Sequence, residues 1–178
     1  MNILFIILGI IAGIFVLLLI LALFAKKGYS VHREIVINRP KQEVFDYVKF
    51  IKNQDYYSKW VMTDPNMKKV FTGTDGTVGF IYAWNGNKQA GEGEQEIKTL
   101  KNGERVDTEI RFVRPFTAVG YADLELTSSP GNQTHVRWGM SSSMKYPMNV
   151  MLLFMNMDKL LGKDLEISLN TLKGILEK

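Results

Sequence analysis

An uninterrupted apolar segment at the N-terminus is the strongest constraint on how this 178-residue chain folds. Every charged side chain lies at position 26 or later, and between Ile3 and Ala25 only Gly9 and Gly13 lie outside the apolar set. As a helix rising about 1.5 Å per residue, this segment spans roughly 34 Å, enough to cross a hydrocarbon core of about 30 Å. We therefore predict a transmembrane anchor over residues 1–27 and one further domain over residues 28–178.

A cleaved signal peptide is the alternative interpretation of the same segment. It is disfavoured because no Lys or Arg precedes the apolar run, the run exceeds the usual signal core of roughly 7–15 residues, and its end lacks a small-x-small pattern. Lys26, Lys27 and Arg33 follow the run, so the rule that basic residues accumulate on the cytoplasmic side predicts a cytoplasmic domain. Gly9 and Gly13 form a G-x-x-x-G pair that would permit a weak homodimer, although glycine is common in membrane helices.

Composition excludes several other classes of protein. The absence of cysteine excludes a disulfide scaffold, thiol catalysis and cysteine zinc sites. The 22 basic and 18 acidic side chains give a net charge of +4, but they are interspersed, without a basic block among aromatic residues. We therefore predict no nucleic-acid partner, and we attribute the mild positive charge to a domain beside an anionic leaflet.

Turn signals divide the remaining chain into strands and helices. Residues 29–38 are rich in β-branched residues, which predicts a strand. Pro40 is typical of the first position of a helix, and this predicted helix contains Val44 and Val48. Four dipeptides are typical of turns: Asp75-Gly76, Asn85-Gly86, Asn102-Gly103 and Pro130-Gly131. They delimit six predicted strands, near residues 67–73, 77–84, 89–101, 104–114, 116–127 and 133–144.

The chain ends in a long amphipathic helix, whose apolar stripe comprises Leu161, Leu165, Leu169, Leu172 and Leu176. No β-α-β alternation occurs, so we predict an α+β fold in which an antiparallel sheet of about seven strands wraps around this helix.

Strand registers predict which face of the sheet meets the helix. A two-residue turn at Asn102-Gly103 would pair Lys98 with Asp107 and Glu94 with Arg111, which places these charges on one face and apolar residues on the other. A turn at Gly86-Asn87 would place Tyr82 opposite Gly91 and Phe80 opposite Gly93. Aromatic rings over glycines indicate a strongly curved sheet with a cavity beneath the helix.

We predict that a hydrophobic ligand binds in this cavity. Gln95, with Thr108 and Arg33, would supply the few polar groups that orient a ligand in a mainly apolar pocket. The predicted cavity residues are Phe80, Tyr82, Trp84, Gln95, Ile110, Phe112, Trp138, Met140, Leu161 and Leu165.

No catalytic, cofactor or metal site is predicted. The glutamates at positions 92, 94, 96 and 109 share the charged face with basic partners across the strands, which indicates ion pairs rather than acid–base chemistry. His32 and His135 fall on the polar parity of their strands and lack further ligands at suitable spacing. The sequence contains no nucleophile elbow, phosphate-binding loop or H-E-x-x-H motif.

Several segments together resemble a known superfamily. They are residues 35–45 (IVINRPKQEVF), Tyr57-Ser58-Lys59-Trp60 with Asp64-Pro65, residues 79–91 (GFIYAWNGNKQAG), Arg114-Pro115-Phe116 and residues 155–159 (MNMDK). Over residues 29–178 the chain resembles the helix-grip fold of the START-like (SRPBCC) superfamily, in particular polyketide cyclase/dehydrase and lipid-transport-type proteins of a membrane-anchored bacterial subgroup. The resemblance implies a deep hydrophobic cavity for lipids, sterols or polyketides, and it transfers no catalytic residue.

Three functions remain open at this point. The first is a membrane-anchored protein that binds a small hydrophobic molecule, with the anchor holding the cavity near the bilayer. The second is a cyclase- or dehydratase-type enzyme on an apolar substrate, for which Arg33 is the one candidate ionisable group in the cavity. The third is a protein-interaction or stress-related adaptor that uses the charged face around Glu94, Glu96 and Glu109.

Overall fold

The computed structural model describes residues 3–178, which begin with a long apolar helix. Helix α1, Ile3–Phe24, has a mean hydropathy of 3.4 over its most apolar window and is long enough to cross a membrane. Its side chains are exposed along almost the whole length, and Ala22 near its end is the buried exception. Within the single chain, nothing in residues 3–178 lies within 4 Å of where a side chain at Gly9 or Gly13 would begin, so dimerisation there stays a prediction.

The rest of the chain is built around one antiparallel sheet of seven strands, in the order β1-β7-β6-β5-β4-β3-β2. The number and order of strands agree with the turn signals in the sequence, since consecutive strands from β2 to β7 are neighbours and β1 closes the far edge against β7. The strands are β1 Gly28–Ile37, β2 Lys68–Thr72, β3 Ile81–Asn85, β4 Glu92–Lys101, β5 Arg105–Arg114, β6 Ala118–Ser129 and β7 Gln133–Ser143.

The helices lie between β1 and β2 and after β7. Helix α2, Lys41–Val48, begins directly after Pro40 and buries Val44, Phe45 and Val48. Helix α3, Gln54–Tyr57, is a single turn flanked by 3-10 turns at Ile51–Asn53 and Val61–Thr63. Another 3-10 helix, Met148–Leu153, precedes the C-terminal helix α4, Met157–Leu176, whose first turn is capped by the Asn156 side chain.

The core forms where α4 packs on the sheet. Leu165, Leu169 and Leu172 are at most 1% exposed and contact Val136 and Trp138 of β7. Full burial of one such leucine contributes about 1.5–3 kcal/mol relative to its exposure to water. The predicted leucine stripe is therefore the face of α4 that holds the helix on the sheet.

The β4–β5 hairpin agrees with the predicted register in its outer half and departs from it near the turn. Glu94 faces Arg111, as predicted, but Asp107 faces Thr99, so the predicted pairing of Lys98 with Asp107 is wrong. The loop contains three residues, Asn102 to Glu104, with Gly103 at φ +69°, and a bulge between Ile97 and Thr99 restores the register. A three-residue loop with glycine in the left-handed conformation is the second common hairpin connection, and the dipeptide alone does not distinguish it from a two-residue turn.

The β3–β4 hairpin also differs from its predicted register. Tyr82 faces Gln95 and Trp84 faces Gly93, so the predicted pairs of Tyr82 with Gly91 and Phe80 with Gly93 are wrong. Residues 86–91 form a longer loop, because the Asn87 side chain accepts hydrogen bonds from the backbone of Gln89 and Ala90. Side-chain hydrogen bonds of this kind stabilise a loop that turn dipeptides do not reveal.

The charged residues of the central strands lie on the outer face of the sheet, as predicted. Arg111 forms ion pairs with Glu94 at 2.6 Å and Glu96 at 2.8 Å, and Arg137 forms ion pairs with Asp123 at 3.0 Å and Glu125 at 3.1 Å. These ladders of opposite charge stabilise neighbouring strands and leave the inner face to apolar residues.

Candidate functional site

A cavity of about 290 Å³ lies between the inner face of the sheet, the first turns of α4 and the segment 54–67. Alternation along the strands positions its walls, since every second residue of β3 to β7 points inward. Eight of the residues predicted from the sequence line the cavity: Tyr82, Trp84, Gln95, Ile110, Phe112, Trp138, Met140 and Leu161.

Phe80 and Leu165, the other two predicted residues, lie in the packed core and do not line the cavity. Phe80 directly precedes β3 and packs with Ile51 and Ile97, whereas Tyr82 and Trp84, further along the same face, line the cavity. Leu165 lies one turn further along α4 than Leu161, where the helix is already in full contact with the sheet.

Several further cavity residues lie between α2 and β2, where most of the sequence shows no strand alternation. They are Gln54 of α3, and Ser58, Trp60 and Met67 in the connection from α3 to β2. Trp60 contacts Trp138 edge to face, with ring centroids 6.0 Å apart. The high aromatic content of residues 56–60 was the available signal, but without a periodic pattern it does not indicate which way the rings point.

Trp84 forms one wall of the cavity because its strand neighbour is a glycine. A β-carbon at Gly93 would lie 2.8 Å from the Trp84 ring and 2.6 Å from the backbone oxygen of Arg111. The indole therefore occupies space that any other residue at position 93 would need. Its Nε1 donates a hydrogen bond to the Ala90 oxygen at 3.1 Å, and its ring contacts Phe112 edge to face with centroids 6.0 Å apart.

The polar side chains of Gln95 and Tyr82 at the cavity are neutral and already paired. Gln95 Nε2 donates to Thr108 Oγ1 at 2.9 Å, and both side chains are buried. Tyr82 donates from its hydroxyl to Asp55 at 2.7 Å, and Lys69 pairs with the other oxygen of Asp55 at 2.8 Å. Burial, and next the hydrogen bond to Asp55, raises the pKa of Tyr82, so its phenol stays protonated at neutral pH.

Arg33 does not line the cavity, contrary to the prediction that it would orient a ligand there. Its guanidinium lies across Gly162 of α4 and pairs with Asp158 at 2.9 Å and Glu166 at 2.6 Å. Hydrogen bonds to these carboxylates raise the pKa of Arg33 and keep it charged. Arg33 has the same parity on β1 as the inward-facing Val31 and Ile37, but Asp158 and Glu166 of α4 hold its side chain outside the cavity. The enzyme hypothesis thereby loses the one ionisable residue that was named for it.

The cavity extends to the end of the sheet where β1 begins. Tyr29 and Ser141 line it from the paired ends of β1 and β7, and Arg114 and Pro115 line it from the end of β5. This end is next to α1, because the Lys27 oxygen just before β1 accepts a hydrogen bond from the Met144 backbone at 2.9 Å.

Solved structures with the same arrangement of strands and helices identify the fold. A truncated norcoclaurine synthase from Thalictrum flavum is 10% identical and superimposes with a TM-score of 0.62, covering 84% of this chain and 93% of its own. Protein CV1439 from Chromobacterium violaceum is 11% identical with a TM-score of 0.59, over 84% of this chain and 97% of its own. The chain has the helix-grip fold.

A third similar structure is the Aha1 dimer from Colwellia psychrerythraea, which is 16% identical with a TM-score of 0.53, over 84% of this chain and 96% of its own. No protein-family model matches the sequence, and no curated protein matches it either. Proteins that share so little sequence establish the helix-grip architecture and leave the activity to the site itself.

Proposed function

We propose that this protein binds a small hydrophobic molecule in the cavity beneath α4 while α1 anchors it in a membrane. The observation that carries the proposal is the cavity itself, which aromatic and aliphatic side chains line around two buried amides, Gln54 and Gln95. Apolar walls with a few fixed polar groups are typical of small-molecule sites. The resemblance to START-like proteins supports the same ligand class.

The size of the cavity limits the ligand. Its volume of about 290 Å³ lies at the lower end of the range of roughly 300–1,000 Å³ for small-molecule sites. A single ring system or one acyl chain therefore fits better than a whole two-chain lipid. An apolar ligand of this kind partitions into the bilayer, and an anchored protein meets it there at high local concentration.

Native mass spectrometry of the full chain, followed by extraction and identification of bound compounds, tests this function. Ala122 lines the cavity from β6, so Ala122→Phe should fill it and remove the bound mass. Ala83 pairs with Glu94 on the outer face, so the matched variant Ala83→Phe should retain it. A wild-type protein that is always empty, or a bound mass that is unchanged in Ala122→Phe, would show that the cavity is not the binding site.

A further inference from the structure

The C-terminal end of α1 is joined to the domain by a buried hydrogen-bonding residue. Asn149, in the 3-10 helix 148–153, is fully buried and donates from Nδ2 to the oxygens of Ala22 at 2.7 Å and Ala25 at 3.2 Å. The last carbonyls of a helix have no partner within the helix, and an unsatisfied carbonyl is costly near the hydrocarbon core. Asn149 therefore caps α1 and holds the 3-10 helix beside its last turn.

The contact between Asn149 and α1 fixes how deep the residues around Asn149 would lie in a bilayer that α1 crosses. Helix α1 has 22 residues and a length of about 33 Å, so a hydrocarbon core of about 30 Å ends near its last turn. The residues around Asn149 then lie at the level of the lipid headgroups. Lys26 and Lys27 directly after α1 are exposed, as is Lys145, whose neighbour Met144 donates a backbone hydrogen bond to Lys27. Anionic lipid headgroups attract basic side chains in such a position.

Large apolar side chains close to Asn149 in the sequence, and one in the first turn of α4, are exposed. Phe154 is 73% exposed, Met148 58%, Leu160 57% and Leu153 51%. We call these four residues the apolar collar. A soluble protein rarely exposes such a group of side chains together, and a group of this kind marks a surface that another molecule covers.

The tip of the β5–β6 hairpin carries another exposed apolar side chain at the end of the sheet where α1 is joined. Phe112 faces Ala118 at the end of the β5–β6 hairpin, so the hairpin tip lies beyond these residues, and Phe116 at the tip is 63% exposed. Gly120 faces Ser142, and Ser143 faces Gly28, so the tip projects from the same end of the sheet to which α1 is joined.

We propose that the apolar collar lies in the interfacial layer of the bilayer that α1 crosses, as a second membrane contact of the domain. The proposal rests on the anchoring role of α1. A second copy of the chain or a soluble protein would also cover apolar residues, but neither explains why the collar lies beside the capped end of a membrane-length helix. With the collar in the interface, the end of the cavity near Tyr29 and Ser141 is held at the membrane surface.

Site-specific fluorescence tests the collar in the full chain. Because the chain contains no cysteine, single variants Phe154→Cys, Ile14→Cys and Ser128→Cys each carry one environment-sensitive NBD label. Ile14 lies in the middle of α1, and Ser128 is exposed near the β6–β7 turn at the opposite end of the sheet. The labelled proteins are reconstituted into phosphatidylcholine and phosphatidylglycerol vesicles with a nitroxide either near the headgroup or deep in the acyl chains.

We expect the label at position 154 to shift to shorter wavelength and to lose more emission to the shallow nitroxide than to the deep one. The label at position 14 should show the reverse preference, and the label at position 128 should respond to neither. Quenching at position 14 without quenching at position 154 would overturn the collar while the anchor stands. A blue-shifted label at position 154 that neither lipid quenches would mean that protein covers the collar. Absence of quenching at position 14 would overturn the anchor, and the collar with it.

Discussion

Gly93 is a residue of the cavity wall at which one added methyl group should lower stability. The Trp84 ring and the Arg111 backbone oxygen both lie within 3.0 Å of where a β-carbon would be. The backbone oxygen belongs to a paired strand and cannot move away without disturbing the β4–β5 ladder. We predict that Gly93→Ala lowers the free energy of unfolding by about 1–3 kcal/mol, the usual cost of overpacking. Urea unfolding of the full chain in detergent micelles, followed by tryptophan fluorescence, measures this change.

Gly174→Ala is the matched control for that substitution. Gly174 is exposed in α4 and, apart from its chain neighbours and the backbone of its own helix turns, no atom of residues 3–178 lies within 4 Å of its added β-carbon. Alanine is favoured over glycine in a helix by about 1 kcal/mol, so this variant should be as stable as the wild type or more so. Equal stabilities for the two variants would show that position 93 has room that the structure does not show.

The sequence predicts which residues face the inside of the sheet better than it predicts which of these residues reach the cavity. Gln95, Ile110, Phe112, Trp138 and Met140 line the cavity because strand alternation has a period of two, which the sequence displays. Phe80 has the same parity as Tyr82 and Trp84 but packs with Ile51 and Ile97 instead, because alternation shows which face a residue is on and not how far along the strand the cavity extends. The β3–β4 register was also mispredicted, because hydrogen bonds that the backbone of Gln89 and Ala90 donates to the Asn87 side chain set the length of the loop at residues 86–91, and no periodic pattern contains this information.

At the scale of elements, α4 is fixed on the sheet by its leucine stripe and also by an ion-pair clamp at its first turns. Arg33 of β1 contacts Asp158 and Glu166, which lie on either side of Gly162. The hydrogen bond from Arg33 lowers the pKa of Asp158 below its ordinary value of 3.8. A lowered folded-state pKa means that the pair stabilises the fold above the unfolded-state pKa, and that this contribution is lost as the pH falls through the folded-state value.

We therefore predict that Asp158→Asn is less stable than the wild type at neutral pH and that this difference narrows toward zero as the pH falls from about 6 to about 2. Urea unfolding of both proteins across this range measures it. In an Arg33→Met background the same Asp158→Asn substitution should have no pH-dependent effect, since the partner is absent. A difference of constant size at every pH would contradict an ionic origin.

The elements themselves were predictable to different degrees. Seven strands and the final helix follow from turn dipeptides and leucine spacing, and alternation along β6 and β7 places the pairs Ala122–Met140, Leu124–Trp138 and Leu126–Val136 on the inner face. The bulge between Ile97 and Thr99 was not predicted. A bulge accommodates a local mismatch between the loop and the twist of the strands, and no residue type indicates it. The role of Asn149 was missed because it depends on contact between distant parts of the chain.

At the scale of the whole molecule, the short connection between α1 and β1 makes the two parts a single unit. Only residues 25–27 separate Phe24 from Gly28, and hydrogen bonds from Asn149 and Met144 hold this connection at both ends. A flexible linker would let the domain rotate freely above a membrane. The direct joint instead presents one end of the sheet, with the cavity residues Tyr29 and Ser141, toward the place where α1 ends.

The charges beside α1 predict on which side of a membrane the domain would lie. Lys26 and Lys27 are exposed directly after α1, whereas no basic side chain precedes it, so we predict that the domain faces the cytoplasm. In a bacterial host, a green fluorescent protein fused after Lys178 should fluoresce, and alkaline phosphatase at the same position should be inactive. Replacing Lys26 and Lys27 with glutamine and introducing Asn2→Lys should shift part of the population to the opposite orientation, because the charge difference is reversed. Active phosphatase in the unmodified chain would place the domain, its cavity and its ligand outside the cytoplasm.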